Sequence, residues 1–230
     1  MKNNINSAMR IATGEYVMKI DEHCMVAKGW DEALKADCEP NWLVVPSRYA
    51  LDADKWERGR GPTEYLYLTY PYAEDDLYGI GFHGRKWVGK DLGKKEFYKK
   101  EHENKHILID DIMAFQGSCY FMHKSHWEFI DGLDESKSQF FQEATELLFK
   151  TWLSGGSVKR NKKTWYAHMH KTKETADIRF RMSKKEKHRA EKQVADYWMN
   201  NKWEKQTRGI EWFVSKFWPI PSWPEDWAER

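Results

Sequence analysis

The chain has 230 residues, a formal net charge of +2, 15% aromatic residues and 13 tryptophans. That length suits one domain with a sizeable core, and the charge is too small to argue for a nucleic-acid partner by itself; the aromatics serve either a large core, the safer assignment, or a carbohydrate-stacking surface. No run approaches the length that spans a bilayer and no apolar leader opens the sequence, while Cys24, Cys38 and Cys119, without C-x-x-C spacing, read as reduced thiols of a cytoplasmic protein rather than a disulfide framework.

In chain order, Asn3 to Ala12 reads as a helix ending at Gly14, and Tyr16 to Ile20 is a short apolar, β-branched run of the kind that forms a buried strand. Asp21-Glu22-His23 stands at its end. Side chains alternate across a strand, so Asp21 and His23 project one way and Glu22 another. A carboxylate and an imidazole there make half of a divalent-metal site, at the strand edge where open α/β sheets bind ligands. A strand followed by a polar turn would look the same, and so short a motif recurs by chance. Asp31 to Ala36 is a short helix before Pro40, and Trp42 to Val45 is a second buried strand, stopped by Pro46 and Ser47. From Tyr49 to Asn104 the sequence turns polar and aromatic, with a tyrosine-rich stretch, an acidic run Glu74–Asp76 and a segment from Gly81-Phe82 to Lys86-Trp87. A long irregular connection in a compact domain is either functional or a loop with aromatics packed beneath it. Lys90 to His106 is charge-dense, a solvated helix or loop.

Ile107 to Asp111 leads into Phe115-Gln-Gly117 and a strand through Lys124; Gly117 there either admits a ligand close to the backbone or marks a bulge. A helix over Trp127–Ile130 and a turn over Asp131–Glu135 follow. Phe141 to Gly156 reads as an amphipathic helix: Leu147, Leu148, Thr151 and Trp152 recur at helical spacing, Gly155-Gly156 stops it, and Glu143 lies in the first turn at the positive end of the dipole. A turn and strand from Ser157 to Trp165 run into Tyr166-Ala-His168-Met-His170-Lys171. Ser183 to Glu204 is a helix with a Ser183/Glu186 capping box, an apolar face of Ala190, Val194, Tyr197 and Trp198, and a basic opposite face. Contact of that face with DNA is conceivable, but a solvated face is the simpler reading. Ile210 to Trp218 is a further apolar segment, and the proline-spaced tail to Trp227 is extended and anchored by tryptophan.

Several of these segments together resemble glycosyltransferase family 2, most of all its polypeptide N-acetylgalactosaminyltransferase branch. Asn6 to Arg10, Ala12-Thr-Gly14, the hydrophobic strand, Asp21-x-His23-Cys24 and Gly29-Trp30 match its Asp-x-His metal motif and flanks. Gly117 to Lys124 matches its Gly-x-x-(aromatic)-x-Met-x-Lys strand, Phe141 to Gly156 aligns without a gap to its Gly-Gly-Glu-Asn-x-Glu helix, and His168 fits its third metal ligand, with His170 a worse candidate. The resemblance covers roughly residues 3 to 172. It implies a GT-A type α/β domain over 1–172, a mixed sheet with flanking helices, and a C-terminal helical, Trp-rich extension over 173–230 packed on it. It also implies Mn2+ or another divalent cation on Asp21, His23 and His168, a donor set that suits manganese with diphosphate oxygens completing the shell. The implied donor is a nucleotide-diphosphate sugar, most simply a UDP-sugar, with Glu143 catalytic and Gly117, Gln142 and Trp87 lining the donor and acceptor side. Inverting members place an aspartate general base directly after this glutamate; Ala144 cannot accept a proton, which points to retention. The first βαβ units of the family, which grip the nucleoside, are missing. Either the chain is a fragment, a partner polypeptide supplies that half, or the base is held differently; alternatives to an enzyme acting alone are thus a non-catalytic or half-enzyme subunit, or a glycosyltransferase of modified DNA bases.

Overall fold

The computed structural model of the chain describes residues 1–72, 80–87, 105–137, 142–170 and 183–229. The acidic run at 74–76, most of the charge-dense stretch from 90, Phe141 and Lys171 lie outside the described residues.

In order, the elements are α1 (Lys2–Ile11), β1 (Tyr16–Ile20), β2 (Cys24–Val26), α2 (Trp30–Lys35), β3 (Trp42–Asp52), β4 (Glu57–Arg58), β5 (Leu66–Leu68), β6 (Gly84–Lys86), β7 (Ile109–Asp111), β8 (Cys119–His123), α3 (Lys124–Phe129), α4 (Glu143–Leu153), β9 (Ser157–His168), α5 (Lys184–Met199) and α6 (Ile210–Phe217). A seven-stranded sheet runs β1-β8-β3-β9-β2, with β4 on β3 and β7 on β9. It is mixed: β3 and β9 are parallel, and β1, β2, β4 and β7 pair antiparallel with their neighbours. β5 and β6 form a separate antiparallel pair.

One face of the sheet carries Val17, Leu43, Val45, Met122 and Val158 into the main core with α4, α5 and α6. The other carries Val44 and Phe121 into a small cluster beneath Leu34 of α2. Period-two alternation places these residues on opposite faces, so one sheet feeds two layers. α4 is buried along nearly its whole length rather than on one stripe, which corrects the amphipathic expectation. Beyond Glu143, its charged residues are paired inside the protein instead of by water. Glu146 pairs with Lys2 of α1 at 2.6 Å and with Lys150 at 3.0 Å, and it accepts the Asp134 amide at 2.6 Å. Asn6 adds a reciprocal clamp, donating to the Leu133 carbonyl and accepting its amide. Helix α1 is thereby fastened to α4 and the turn before it.

Three further expectations are corrected. β3 does not stop at Pro46 but runs on to Asp52; proline has no N–H to give, and the register with β9 shifts between Pro46 and Ser47 as a bulge. The stretch after Tyr49 is not irregular throughout, since β4, β5 and β6 form within it. Helix α5 ends at Met199, where Asn200 and Asn201 take over, Asn201 at a positive φ of 51°. The predicted capping box at Ser183 and Glu186 is present. The C-terminal part joins the main core through Trp198, Phe213, Ile220 and Trp223, whose indole Nε1 donates to the Leu68 carbonyl at 2.8 Å.

β1 lies at the end of the sheet. Among the described residues it pairs with β8 alone, and Ile20 at its end is 40% exposed, so the strand is an open edge rather than a buried one. A cavity of about 600 Å3 follows this edge, between α1 and β1, and reaches Asp21 and Glu22.

Candidate metal centre

Three strands deliver the site. β1 ends at Ile20, and the Asp21 amide donates to the Ser118 carbonyl, which fixes the carboxylate just past the strand tip. β2 then pairs with the end of β9, Cys24 opposite His168, so His23 is set beside the last residue of β9. The Met169 amide donating to the His23 carbonyl closes that junction at 3.1 Å. Residues 147 positions apart thus meet: His168 Nε2 lies 3.3 Å from Asp21 Oδ2, and the rings of His23 and His168 have centroids 4.6 Å apart. One ligand atom from each of Asp21, His23 and His168 lies within 4.8 Å of the others. Glu22, in the turn after β1 and with a side chain 90% exposed, is not part of the triad, although its carboxylate lies 3.5 Å from His23 Nδ1 instead of turning away as strand alternation predicts.

The donor set fits a borderline divalent cation: two imidazole nitrogens and one carboxylate, all part-buried, leaving room for exogenous oxygens. The carboxylate is prepared for that task. Burial alone would raise the Asp21 pKa, but hydrogen bonds from His168 and Lys19 outweigh it and bring it down to about 2. Oδ2 faces His168, and Oδ1 takes the Lys19 ammonium at 2.5 Å.

Lys19 was not singled out in the sequence. The signal was there: a lysine in an apolar strand, two residues before Asp21 and so on its face. Its ammonium also donates to the Gly117 carbonyl and stands 3.5 Å from Glu143 Oε1. Glu143, at the start of α4, is 6% exposed, and neither carboxylate oxygen accepts a hydrogen bond. Burial raises its pKa, and Lys19 only partly opposes this. Gly117 makes the close approach possible: a Cβ there would lie 2.9 Å from Glu143 Oε1. Asp21, Lys19, Gly117 and Glu143 therefore form one contiguous surface.

Gln142, the residue before α4, has φ of +69°, the left-handed conformation that favours the glycine of the aligned pattern. Its side chain is turned to the Phe82 carbonyl at 3.1 Å, with Oε1 buried and unpaired. Trp87 is 9% exposed and packs in the main core 5.5 Å from Tyr67. His170 is exposed, its ring 5.6 Å from that of His168, and it stays outside the triad. Its pKa is lowered by burial, by Arg48 and by His168, in that order. Arg48 was likewise missed, hidden in an apolar run.

No protein-family model matches this chain. Among curated proteins it is similar to polypeptide N-acetylgalactosaminyltransferase 5 of Caenorhabditis elegans, 24% identical over 152 residues, 64% of this chain and 22% of that protein. It is similar to polypeptide N-acetylgalactosaminyltransferase 3 of Taeniopygia guttata, 25% identical over 150 residues, 64% of this chain and 23% of that protein. It is also similar to probable N-acetylgalactosaminyltransferase 8 of Caenorhabditis elegans, 26% identical over 154 residues, 66% of this chain and 32% of that protein. The chain thus spans between 22% and 32% of the length of these relatives. Among solved structures, it superposes on a crystal structure of GalNAc-T7 with UDP, GalNAc and Mn2+ at a TM-score of 0.63, 13% identity, covering 87% of this chain and 36% of that one. The fold is of the GT-A type, and the curated relatives are the polypeptide N-acetylgalactosaminyltransferases that the motifs resembled.

Proposed function

We propose that this chain is the metal-binding part of a glycosyltransferase that uses a nucleotide-diphosphate sugar, most simply a UDP-sugar. The observation that carries the reading is the convergence of Asp21, His23 and His168 within 4.8 Å. Relatives named as glycosyltransferases, and a fold shared with a structure holding UDP and Mn2+, support it. A bound Mn2+ supplies Lewis-acid charge to a departing diphosphate.

The protein's own groups do the rest. Asp21 is ionised across the working pH range and holds one oxygen toward His168. Lys19 offers a second fixed positive charge between Asp21 and Glu143. Glu143, buried beside Gly117, is assigned to the reacting face of the donor sugar. Gln142 shapes the acceptor side, with Trp87 supporting it from within the core. With Ala144 next to Glu143 there is no adjacent base to deprotonate an acceptor, which favours transfer with retention. A cytoplasmic setting belongs to this reading, supported by three unpaired cysteines.

Calorimetry with UDP, in Mn2+ and in EDTA, tests the proposal. It requires saturable UDP binding that Mn2+ strengthens by at least about tenfold. A second reading rests on the open β1 edge and the cavity beside it: a half-enzyme subunit completed by a partner polypeptide or another segment that pairs with β1. Binding of Mn2+ without any affinity for UDP would select that reading.

A further inference from the structure

Two arginines are buried in this sheet, and the fold uses only one of them. Arg160 of β9, 1% exposed, donates to the carbonyls of Glu64 and Pro46 and faces the Glu64 carboxylate at 3.5 Å. Arg48 of β3, 5% exposed, has no carboxylate partner among the described residues. Its Nε is buried without a hydrogen bond, and its Nη2 donates to His170 Nε2 at 3.0 Å. Burial works against the guanidinium, the Tyr166 hydroxyl within hydrogen-bonding reach favours it without supplying a carboxylate, and Arg160 adds a like charge. A buried cation without a counter-charge is a burden on the fold, because buried charges are ordinarily paired.

Its place says where such a counter-charge belongs. Arg48 stands opposite Tyr166 in the parallel β3–β9 register, two positions before His168. His170, which accepts from the Arg48 Nη2, lies ring to ring with His168 at 5.6 Å. Arg48, His170, His168 and Asp21 therefore form an unbroken row from the spare guanidinium to the metal centre. A planar guanidinium with free donors suits a phosphate or carboxylate, which it can engage through two parallel hydrogen bonds. Lys19, the other cation at the site, is already committed to Asp21 and the Gly117 carbonyl.

We propose that Arg48, braced by His170, reads an oxyanion of the substrate on the His170 side of the metal centre. The oxyanion is a phosphate or carboxylate oxygen, supplied either by the diphosphate of the donor or by an acidic group on the transferred sugar. The inference rests on the glycosyltransferase reading for the identity of the ligand, and on Arg48 alone for its charge.

The test is calorimetry on the full chain and its Arg48→Met, Arg48→Lys and His170→Ala variants. The probes are uridine, UDP, UDP-glucose and UDP-glucuronic acid in Mn2+, and inorganic pyrophosphate in EDTA. Arg48→Met should weaken pyrophosphate and at least one nucleotide by about tenfold or more, while Mn2+ affinity falls less than in variants of the three candidate ligands, of which Arg48 is not one. Arg48→Lys should recover part of the loss. Weaker UDP with unchanged uridine assigns the oxyanion to the diphosphate; loss confined to UDP-glucuronic acid assigns it to the sugar. Binding of every probe by Arg48→Met as by wild type overturns the proposal. Should wild type bind no uridine nucleotide, the glycosyltransferase reading falls, and pyrophosphate alone decides: equal affinity, or none, in wild type and Arg48→Met overturns the oxyanion role. If circular dichroism shows Arg48→Met unfolded, Arg48→Lys and the exposed His170→Ala decide by the same comparison.

Discussion

Lys19 explains how a carboxylate can be kept at Glu143 at all. A side chain 6% exposed with no hydrogen bond to either oxygen would shed its charge, and the ammonium 3.5 Å away is what opposes this. Burial still wins, so the folded pKa lies above the unfolded one. Such an acid binds protons more readily in the fold, and stability falls as pH rises from the unfolded value through the folded one. Glu143→Gln should therefore gain stability over wild type at pH 7.5 and lose that gain at pH 3, below the ordinary glutamate value, where Glu143 is protonated in both states; urea denaturation at the two pH values measures it. Gly117 belongs to the same contact. Gly117→Ala would set a methyl 2.9 Å from Glu143 Oε1, and should lower stability by about 1–3 kcal/mol. In a Glu143→Ala background the same substitution should cost much less, and an unchanged cost in that double-mutant cycle would remove Glu143 as the reason for the glycine.

At the scale of elements, α1 is held by charge as much as by packing. Lys2, with a side chain 1% exposed, and Lys150 neutralise Glu146 inside the protein. Glu146→Ala leaves two buried ammonium groups unpaired and should destabilise the chain by about 3–5 kcal/mol. Urea denaturation checks this, and a loss under about 1 kcal/mol would show the pair to be solvated. What could be read in advance follows from locality. The α5 capping box, the strand before Asp21 and the stop at Gly155-Gly156 depend on neighbours in sequence, and each is present. The continuation of β3 through Pro46 depends on a bulge against β9, a partner more than a hundred residues away, and the local rule for proline misjudged it. α4 likewise looked half-exposed because Glu146 and Lys150 are polar; only long-range pairing with Lys2 lets them be buried. In the site, the triad was legible because a motif carries it, whereas Lys19 and Arg48 draw their meaning from Glu143 and His170, which no spacing announces.

At the scale of the whole molecule, a mixed sheet packs most of its helices on one face and, among the described residues, ends on β1 at one side and β2 at the other; a cavity of about 600 Å3 beside β1 leads to the candidate metal site. The C-terminal helices and tail complete the main core from the side of α4, so the turns that carry Asp21 and His23 are braced by a well-filled interior. A cation that bridges β1 and β9 should therefore stabilise the fold as a unit. With free Mn2+ at about a hundred times its dissociation constant, the gain is about 2.7 kcal/mol, which for a chain of this size is a rise of about 5–10 °C in melting temperature. The strongest single test of the account is the binding of Mn2+ itself, followed by electron paramagnetic resonance or calorimetry on wild type, Asp21→Asn and His168→Ala. One saturable ion per chain is expected in wild type, with affinity lowered by about 100-fold or more in both variants. Wild-type-like Mn2+ affinity in His168→Ala, or no saturable binding in wild type, would contradict this.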